Sequence, residues 1–271
     1  MSVSEVKSSA WSGAAAAAYD MGFARLCQGA VGEVLDRVER LSGVGSLLDL
    51  GAGTGRLSTE AQRRGFAVTA VDREPDMLAI AERRAPDLGV TWTVAEAPEL
   101  PFAEDSFDAA AANFVINHVA KPREVLGALG RVVVGDGVIA TTIWPSGPSP
   151  LSELWQQVVA ASGAIAPPPN RLGPADDFER SVEGLAGLHS SCELTVEFAG
   201  TVAWTLMIDP LDFWQGPASG IAVIGALYLA QPEPVRERMF AAYWDAVADR
   251  TRDGYLHLEA RAALVISRVP R

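Results

Sequence analysis

An apolar run ending Leu47-Leu48-Asp49-Leu50 leads straight into Gly51-Ala52-Gly53-Thr54-Gly55, and 21 positions after Gly51 a second apolar run ends in Asp72. A strand, a glycine-rich turn, a helix and a second acid-tipped strand are the parts from which an open α/β sheet builds a nucleotide-shaped pocket at its strand ends. Glycines let the backbone turn sharply and approach a ligand closely. Asp72, at the tip of the second strand, is placed to accept both hydroxyl hydrogens of a ribose. Two readings of the turn follow. A dinucleotide site shows G-x-G-x-x-G and seats a pyrophosphate on the helix N-terminus. Here the spacing is G-x-G-x-G, with the third glycine one position early, and Asp49 stands two residues ahead of the turn. An acid there opposes a pyrophosphate and suits a cationic ligand.

The 271 residues suffice for one large α/β domain, or one domain and a lid, and 49% hydrophobic residues suffice for a sizeable core. The net charge of −12 argues against non-specific binding to nucleic acid, whose phosphates want a basic surface, and there is no basic patch. Two cysteines, Cys27 and Cys192, make neither a disulfide framework nor a CxxC metal site, so no metal is expected and a reducing cytoplasm is the simplest setting. The N-terminus lacks the apolar centre of a secretory leader, and the longest apolar stretch, about 220–230, is too short to cross a bilayer, so no membrane partner is expected.

Along the chain, a helical pattern covers Trp11 to Leu41, with an apolar stripe at Phe23, Leu26, Val31, Val34, Leu35 and Val38, after about ten residues that read as disordered. Strands are expected at Ser46–Leu50, Phe66–Val71, Val90–Val94, Phe107–Val115 and Val138–Trp144, the last entered by a Gly135-Asp136-Gly137 turn. Helices fall between them at Arg56–Arg64, from Pro75 and from Pro122. Beyond two Pro-rich breaks, 145–150 and 167–174, the stretch 193–206 alternates as a strand pair or one bent strand, helices follow, and Leu256–Arg268 closes the chain as a strand.

After the third strand the chain reads VAEAPELPFAEDSFDAAAANFVINHV, Val94 to Val119. With the glycine turn and Asp72, this string resembles the class I S-adenosylmethionine-dependent methyltransferases, ubiquinone/menaquinone-biosynthesis (type 11) subfamily, whose "D-A-x-x-L-P-F-x-x-x-S-F-D" segment is matched by Glu96, Ala97, Leu100, Pro101, Phe102, Ser106, Phe107 and Asp108. The resemblance covers about 40–145 well and the rest in outline; its one departure is Glu96 where the family usually has Asp. It implies a fold: α/β, a doubly wound, seven-stranded, mostly parallel Rossmann-like sheet with N-terminal helices and a helical lid inserted around the last strands. The expected division is a cap at 1–40, a cofactor-binding core at 41–145, and a lid with closing strands at 146–271.

The resemblance also implies S-adenosyl-L-methionine as cofactor and a role for each matching residue. Gly51, Ala52 and Gly53 pass beneath the methionine moiety and ribose, Asp49 faces the ammonium, and Asp72 clasps the ribose. Arg73 and Met77 flank the adenine, Met77 reading equally well as helix packing. Glu96 takes the adenine amine and the Ala97 N–H a ring nitrogen; Asn113 holds the methionine end, and Tyr19 closes over it. His118, just past the fourth strand, is the candidate catalytic base, with strand capping or pocket shaping as its plainer role. Trp144 and Trp214 are candidate substrate contacts in an aromatic lid, with packing against the sheet as the alternative.

The implied activity is methyl transfer to a small organic molecule in the cytoplasm, of a kind frequent in bacterial secondary metabolism, which the Lys-poor, Ala-rich composition fits. A nicotinamide-dependent oxidoreductase on a similar sheet, and an S-adenosylmethionine-binding protein that does not transfer methyl, are the competing readings. The sequence carries no NPPY segment of the nucleic-acid amino-methylating kind after the fourth strand, where Asn113 is followed by Phe-Val-Ile.

Overall fold

The structure, a computed structural model, describes residue 11 and residues 13–167, 172–173 and 175–271. Among these residues eight strands form one sheet: β1 (Ser46–Leu50), β2 (Ala67–Asp72), β3 (Thr91–Val94), β4 (Phe107–Asn113), β5 (Val133–Ile143), β6 (Thr195–Ile208), β7 (Thr251–Arg252) and β8 (Tyr255–Arg268). The order is β3-β2-β1-β4-β5-β8-β6, with the two-residue β7 pairing β8. β1 to β5 run parallel, and β8 runs antiparallel between β5 and β6. The chain leaves β1 for β2 on one side and later returns to β4 on the other. The carboxyl end of β1 is therefore the topological switch point, where open α/β sheets bind ligands.

Alternation along the central strands buries both faces of the sheet. Leu48, Ala110 and Ile139 meet α6 (Pro122–Val132) and α8 (Val182–Ser190) on one side. Leu47, Ala109 and Ala140 meet α3 (Val31–Ser42) and α4 (Arg56–Arg63) on the other. β4 reads FDAAAAN, and its four alanines are at most 1% exposed.

β5 pairs β8 only along Ala263–Arg268, while β6 stays paired with β8 out to Ile208 opposite Leu256. From Val202 to Ile208 the two strands thus run on beyond the sheet as a ribbon above the switch point. The ribbon's apolar side chains seed a second core with α7 (Pro150–Ser162), α9 (Pro210–Ala218), α10 (Ala222–Leu229) and α11 (Glu233–Ala248). Leu256 and Leu258 are at most 1% exposed there, and burial of such a side chain stabilises by about 1.5–3 kcal/mol.

Three sequence expectations change and a fourth is decided between its alternatives. The helical stretch 11–41 is three helices, α1 (Ala14–Met21), α2 (Phe23–Gln28) and α3. It breaks at Gly22 because the backbone there lies against α9: a Cβ would sit 3.0 Å from the Asp212 carbonyl oxygen. Gly135-Asp136-Gly137 is no turn but a bulge inside a continuous β5, with Asp136 at φ 66° and Gly137 pressed onto the Asp108 backbone. β4 stops at Asn113, since Phe114 adopts φ 60° and turns the chain across the switch point. The stretch expected as a strand pair or one bent strand is the latter, β6, irregular between Val196 and Phe198. The N-terminal residues 1–10 and part of the second Pro-rich break lie outside the described residues.

Candidate functional site

The turn after β1 has three glycines at positive φ, and two of them have separate reasons to be glycine. At Gly51 (φ 66°) a Cβ would sit 2.4 Å from a Val115 methyl, so the turn packs directly on the segment after β4. At Gly55 (φ 76°) it would sit 2.7 Å from both the Trp92 ring and Ala81, so this glycine seats α4 against its neighbours. The third glycine of G-x-G-x-G thus serves packing rather than a pyrophosphate.

Asp49, at the end of β1, is 1% exposed and lies beneath the turn. Its Oδ2 accepts a 2.5 Å bond from Ser58 Oγ. No cation pairs with it among the described residues. Burial above all, with the nearby charge of Asp72, pushes its pKa up to about 7 despite the Ser58 bond. At the tip of β2, Asp72 accepts from the Gly53 N–H at 2.8 Å through one oxygen and from the Glu74 N–H at 2.9 Å through the other. Those bonds aim the carboxylate and leave a lone pair on each oxygen for a ligand. Burial still raises its pKa, and Glu74's charge adds to the rise.

Around Asp49 a cavity of about 30 Å³ is lined by Tyr19, Cys27, Gly51, Ala52 and Asn113. That is room for about one water. Asn113 is oriented from both sides, donating to the Cys27 carbonyl at 3.2 Å and accepting from Thr142 Oγ1 at 2.7 Å. The Tyr19 ring lies over Gly53, 3.4 Å from where a Cβ would be, and its hydroxyl bonds the Cys27 thiol. Burial raises the phenol well above its usual pKa and the thiol to about 12, so both stay protonated.

A clasp that local sequence pattern does not reveal holds Tyr19 there. Asp20 accepts from Thr54 Oγ1 at 2.7 Å, from Arg56 Nη2 at 3.2 Å and from Arg84. Burial alone would raise Asp20's pKa, but these bonds outweigh it and hold the carboxyl below its usual value. Arg84 also donates to the Thr54 carbonyl at 2.9 Å, and the Gly13 N–H reaches Asp76 at 2.6 Å. The partners of Asp20 are 34 to 64 positions away, beyond any periodicity argument; the one sequence signal is an acid beside Tyr19 in a short apolar helix.

The remaining expected residues sit outside this cavity. Arg73 and Glu96 pair at 3.0 Å where β2 and β3 end, both exposed, while Ala97 packs against the main core. Met77 is 3% exposed within α5 (Pro75–Arg84), the packing role. His118 lies in the turn after β4, its N–H bonded to the Val115 carbonyl and its ring edge-on to Trp11 at 5.9 Å. Trp11 in turn meets Tyr19 at 5.6 Å, which links His118 to the cavity wall. Surrounding atoms, and then the Arg73 guanidinium, lower the His118 pKa and leave a neutral imidazole at pH 7. Trp144 stacks on Phe114 at 4.1 Å, with Trp204 5.8 Å from it. Trp214 takes the packing alternative: it is 4% exposed and packs on Tyr243 at 4.9 Å, inside the ribbon core.

The sequence profile described as a methyltransferase domain matches residues 48–141, from β1 to within β5. Residues 48–141 thus match a methyltransferase domain. The chain is 38% identical over 121 residues to a demethylmenaquinone methyltransferase of Clavibacter sepedonicus, covering 43% of this chain and 49% of that protein. It is 30% identical over 154 residues to a malonyl-[acyl-carrier protein] O-methyltransferase of Salmonella typhimurium, covering 56% and 59%. The chain spans about half the length, or less, of the first of these curated relatives. In fold it resembles the YcgJ protein of Bacillus subtilis, with TM-score 0.58 and 17% identity over 89% of this chain and 98% of that one. The cofactor that goes with this domain is S-adenosyl-L-methionine, and that assignment, together with the packing role of Gly55, leaves the dinucleotide reading without support. No helix among the described residues is long and apolar enough to cross a membrane.

Proposed function

We propose that this chain transfers a methyl group from S-adenosyl-L-methionine to a small organic acceptor. The observation that carries the reading is Asp49: a buried carboxylate under a glycine turn, with its pKa raised to about 7 and no cation beside it. A buried charge of this kind is relieved by pairing, and an ammonium above the turn supplies the pair. In this reading Asn113 and the Gly51–Gly53 backbone hold the methionine end, Asp72 takes the ribose hydroxyls, and Arg73, Glu96 and the Ala97 N–H border the adenine. Tyr19 closes the site and excludes water.

Bound S-adenosylmethionine would supply a methyl group already activated by its sulfonium. What the chain adds is alignment, worth roughly 7–11 kcal/mol when reacting groups are well placed. The stacked Phe114 and Trp144 stand next to Asn113 and give an apolar wall for the acceptor. His118, neutral near pH 7, is the group at the rim that takes up a proton from an acidic nucleophile. The matched domain ends at residue 141, before Trp144 and the ribbon, so in this reading the chain beyond it joins Phe114 and His118 in choosing the acceptor. The relatives are named for different acceptors, demethylmenaquinone and malonyl-[acyl-carrier protein]. We place the reaction in the cytoplasm, in bacterial secondary metabolism.

The test is calorimetric titration with S-adenosylmethionine and NAD in parallel, followed by a labelled-methyl screen of small acceptors. Micromolar binding of S-adenosylmethionine alone supports the reading. Binding of NAD alone overturns it, and tight S-adenosylmethionine binding with no labelled product across the screen favours a binding protein over an enzyme.

A further inference from the structure

Next to the cofactor cavity, with which it shares Gln28 and Arg56, a groove of about 450 Å³ opens between α2, the first turn of α4 and the projecting half of β6. Its size falls in the range, roughly 300–1,000 Å³, of small-molecule sites. One wall is cationic and hydrogen-bond-donating: Arg25, Gln28 and Arg56. The opposite wall is apolar: Trp204, Leu206 and Met207, the last 60% exposed. In a chain of net charge −12, no carboxylate lines this groove among the described residues.

Two of its donors are unanswered. Arg56 Nε and Trp204 Nε1 are both buried, and neither meets an acceptor among the described residues. An unsatisfied buried donor is costly and is rare without a reason. Arg56 spends its other nitrogens on Gln28 Oε1, at 2.6 Å, and on Asp20. Arg25 has only Asp212 at the rim, at 3.8 Å, longer than a hydrogen bond. Burial above all, and then the Arg84 guanidinium, lowers the Arg56 pKa against the opposing charge of Asp20. The Trp204 indole lies against Gly29, where a Cβ would come within 2.1 Å of the ring. That glycine holds the indole edge, with its N–H, at the groove wall.

We propose that this groove binds an oxyanion carried on an apolar, ring-sized body, the anion taken by Arg25, Arg56 and the Trp204 N–H and the body by Leu206 and Met207. A carboxylate and a phosphate ester both meet that chemistry. Arg56 and Gln28 line both the groove and the cofactor cavity, whereas Arg25 lines the groove alone, so Arg25 is the residue through which the groove is read without activity.

The probes are 2-naphthoate, 2-naphthyl phosphate and, as the neutral control, 2-naphthylmethanol, titrated calorimetrically into the full chain. Both anions should bind saturably at one site, with the alcohol weaker by about tenfold or more. The tighter of the two anions tells carboxylate from phosphate. Arg25→Gln should weaken the anions about tenfold and leave the alcohol unchanged. Trp204→Phe keeps the apolar wall and deletes one N–H; it should weaken the anions several-fold and again spare the alcohol. Equal affinity for alcohol and anions, no saturable binding, or indifference of the anions to Arg25→Gln would overturn the proposal.

Discussion

Two carboxylates lie within the same few turns of chain around the glycine loop, and they are treated in opposite ways. Asp20, above the loop, receives a hydroxyl and two guanidiniums, and its pKa falls. Asp49, below the loop, receives one hydroxyl and no cation, and its pKa rises to about 7. The first is a completed clasp that holds α1 and Tyr19 down. The second is an incomplete site, kept at the expense of stability, as binding residues often are. The clasp also explains why the cavity around Asp49 measures only about 30 Å³. If the cofactor binds here as proposed, withdrawal of α1 and Tyr19 is the expected route of entry.

The comparison breaks first at the cofactor. Asp72→Ala removes the ribose clasp and frees the Gly53 and Glu74 N–H groups, so S-adenosylmethionine affinity should fall on the order of 100-fold or more by calorimetry. Asp49→Asn keeps the shape and the Ser58 contact, and should weaken the cofactor roughly 10–100-fold while leaving the unliganded fold as stable or more stable at pH 7. An Asp49→Asn protein that binds normally would mean the ammonium is held elsewhere.

Asp20→Asn should do the reverse. Arg56 and Arg84 lose their shared counter-ion, and unfolding free energy by urea denaturation should drop by roughly 1–3 kcal/mol. With the clasp loosened, the association rate of S-adenosylmethionine by stopped flow should rise, because α1 opens more often. If the rate stays level while stability drops, the clasp is structural and admission runs another way.

The two acids also differ in how far sequence reveals them. Asp49, Asp72 and the glycines are local: each is defined by its place at a strand tip or turn, and the spacing alone put them where the structure does. The strand order needed no long-range detail either, since strand–helix alternation with both faces apolar leaves few topologies. Asp20 was out of reach because its partners sit on α4, on the Gly51–Gly55 loop and at the end of α5, and nothing along the chain announces such a meeting. Trp214 stayed open between lid and core for a related reason. Its neighbours Trp155, Phe240 and Tyr243 come from α7 and α11, and composition cannot tell an aromatic lid from an aromatic core. Gly135 to Gly137 mimicked a turn because a bulge asks for the same residues.

The smallest effect, and the sharpest, is in pH. Asp49 moves from 3.8 in the unfolded chain to about 7 in the fold, so the native state holds an extra proton between those values. Its contribution to stability therefore falls as pH rises through that window and levels off above it. His189 works against this. Its ring sits between Thr141 Oγ1 at 2.7 Å and Ser267 Oγ at 2.9 Å, and burial lowers its pKa from 6.5 to about 4. The native state then holds fewer protons than the unfolded one between 4 and 6.5, and stability from His189 rises with pH there. The two slopes oppose over their shared window, so the Asp49 slope offsets part of the His189 slope in the native chain. Asp49→Asn removes one of them, and denaturation midpoints should then fall steadily on acidification below pH 6.5. Cofactor binding adds an independent reading. An ammonium favours ionised Asp49, so affinity should rise with pH up to about 7, and binding at pH 6 should release a proton, measured calorimetrically in two buffers of different ionisation enthalpy. Proton release that persists in Asp49→Asn would move the titrating group elsewhere and leave Asp49 a packing acid like any other.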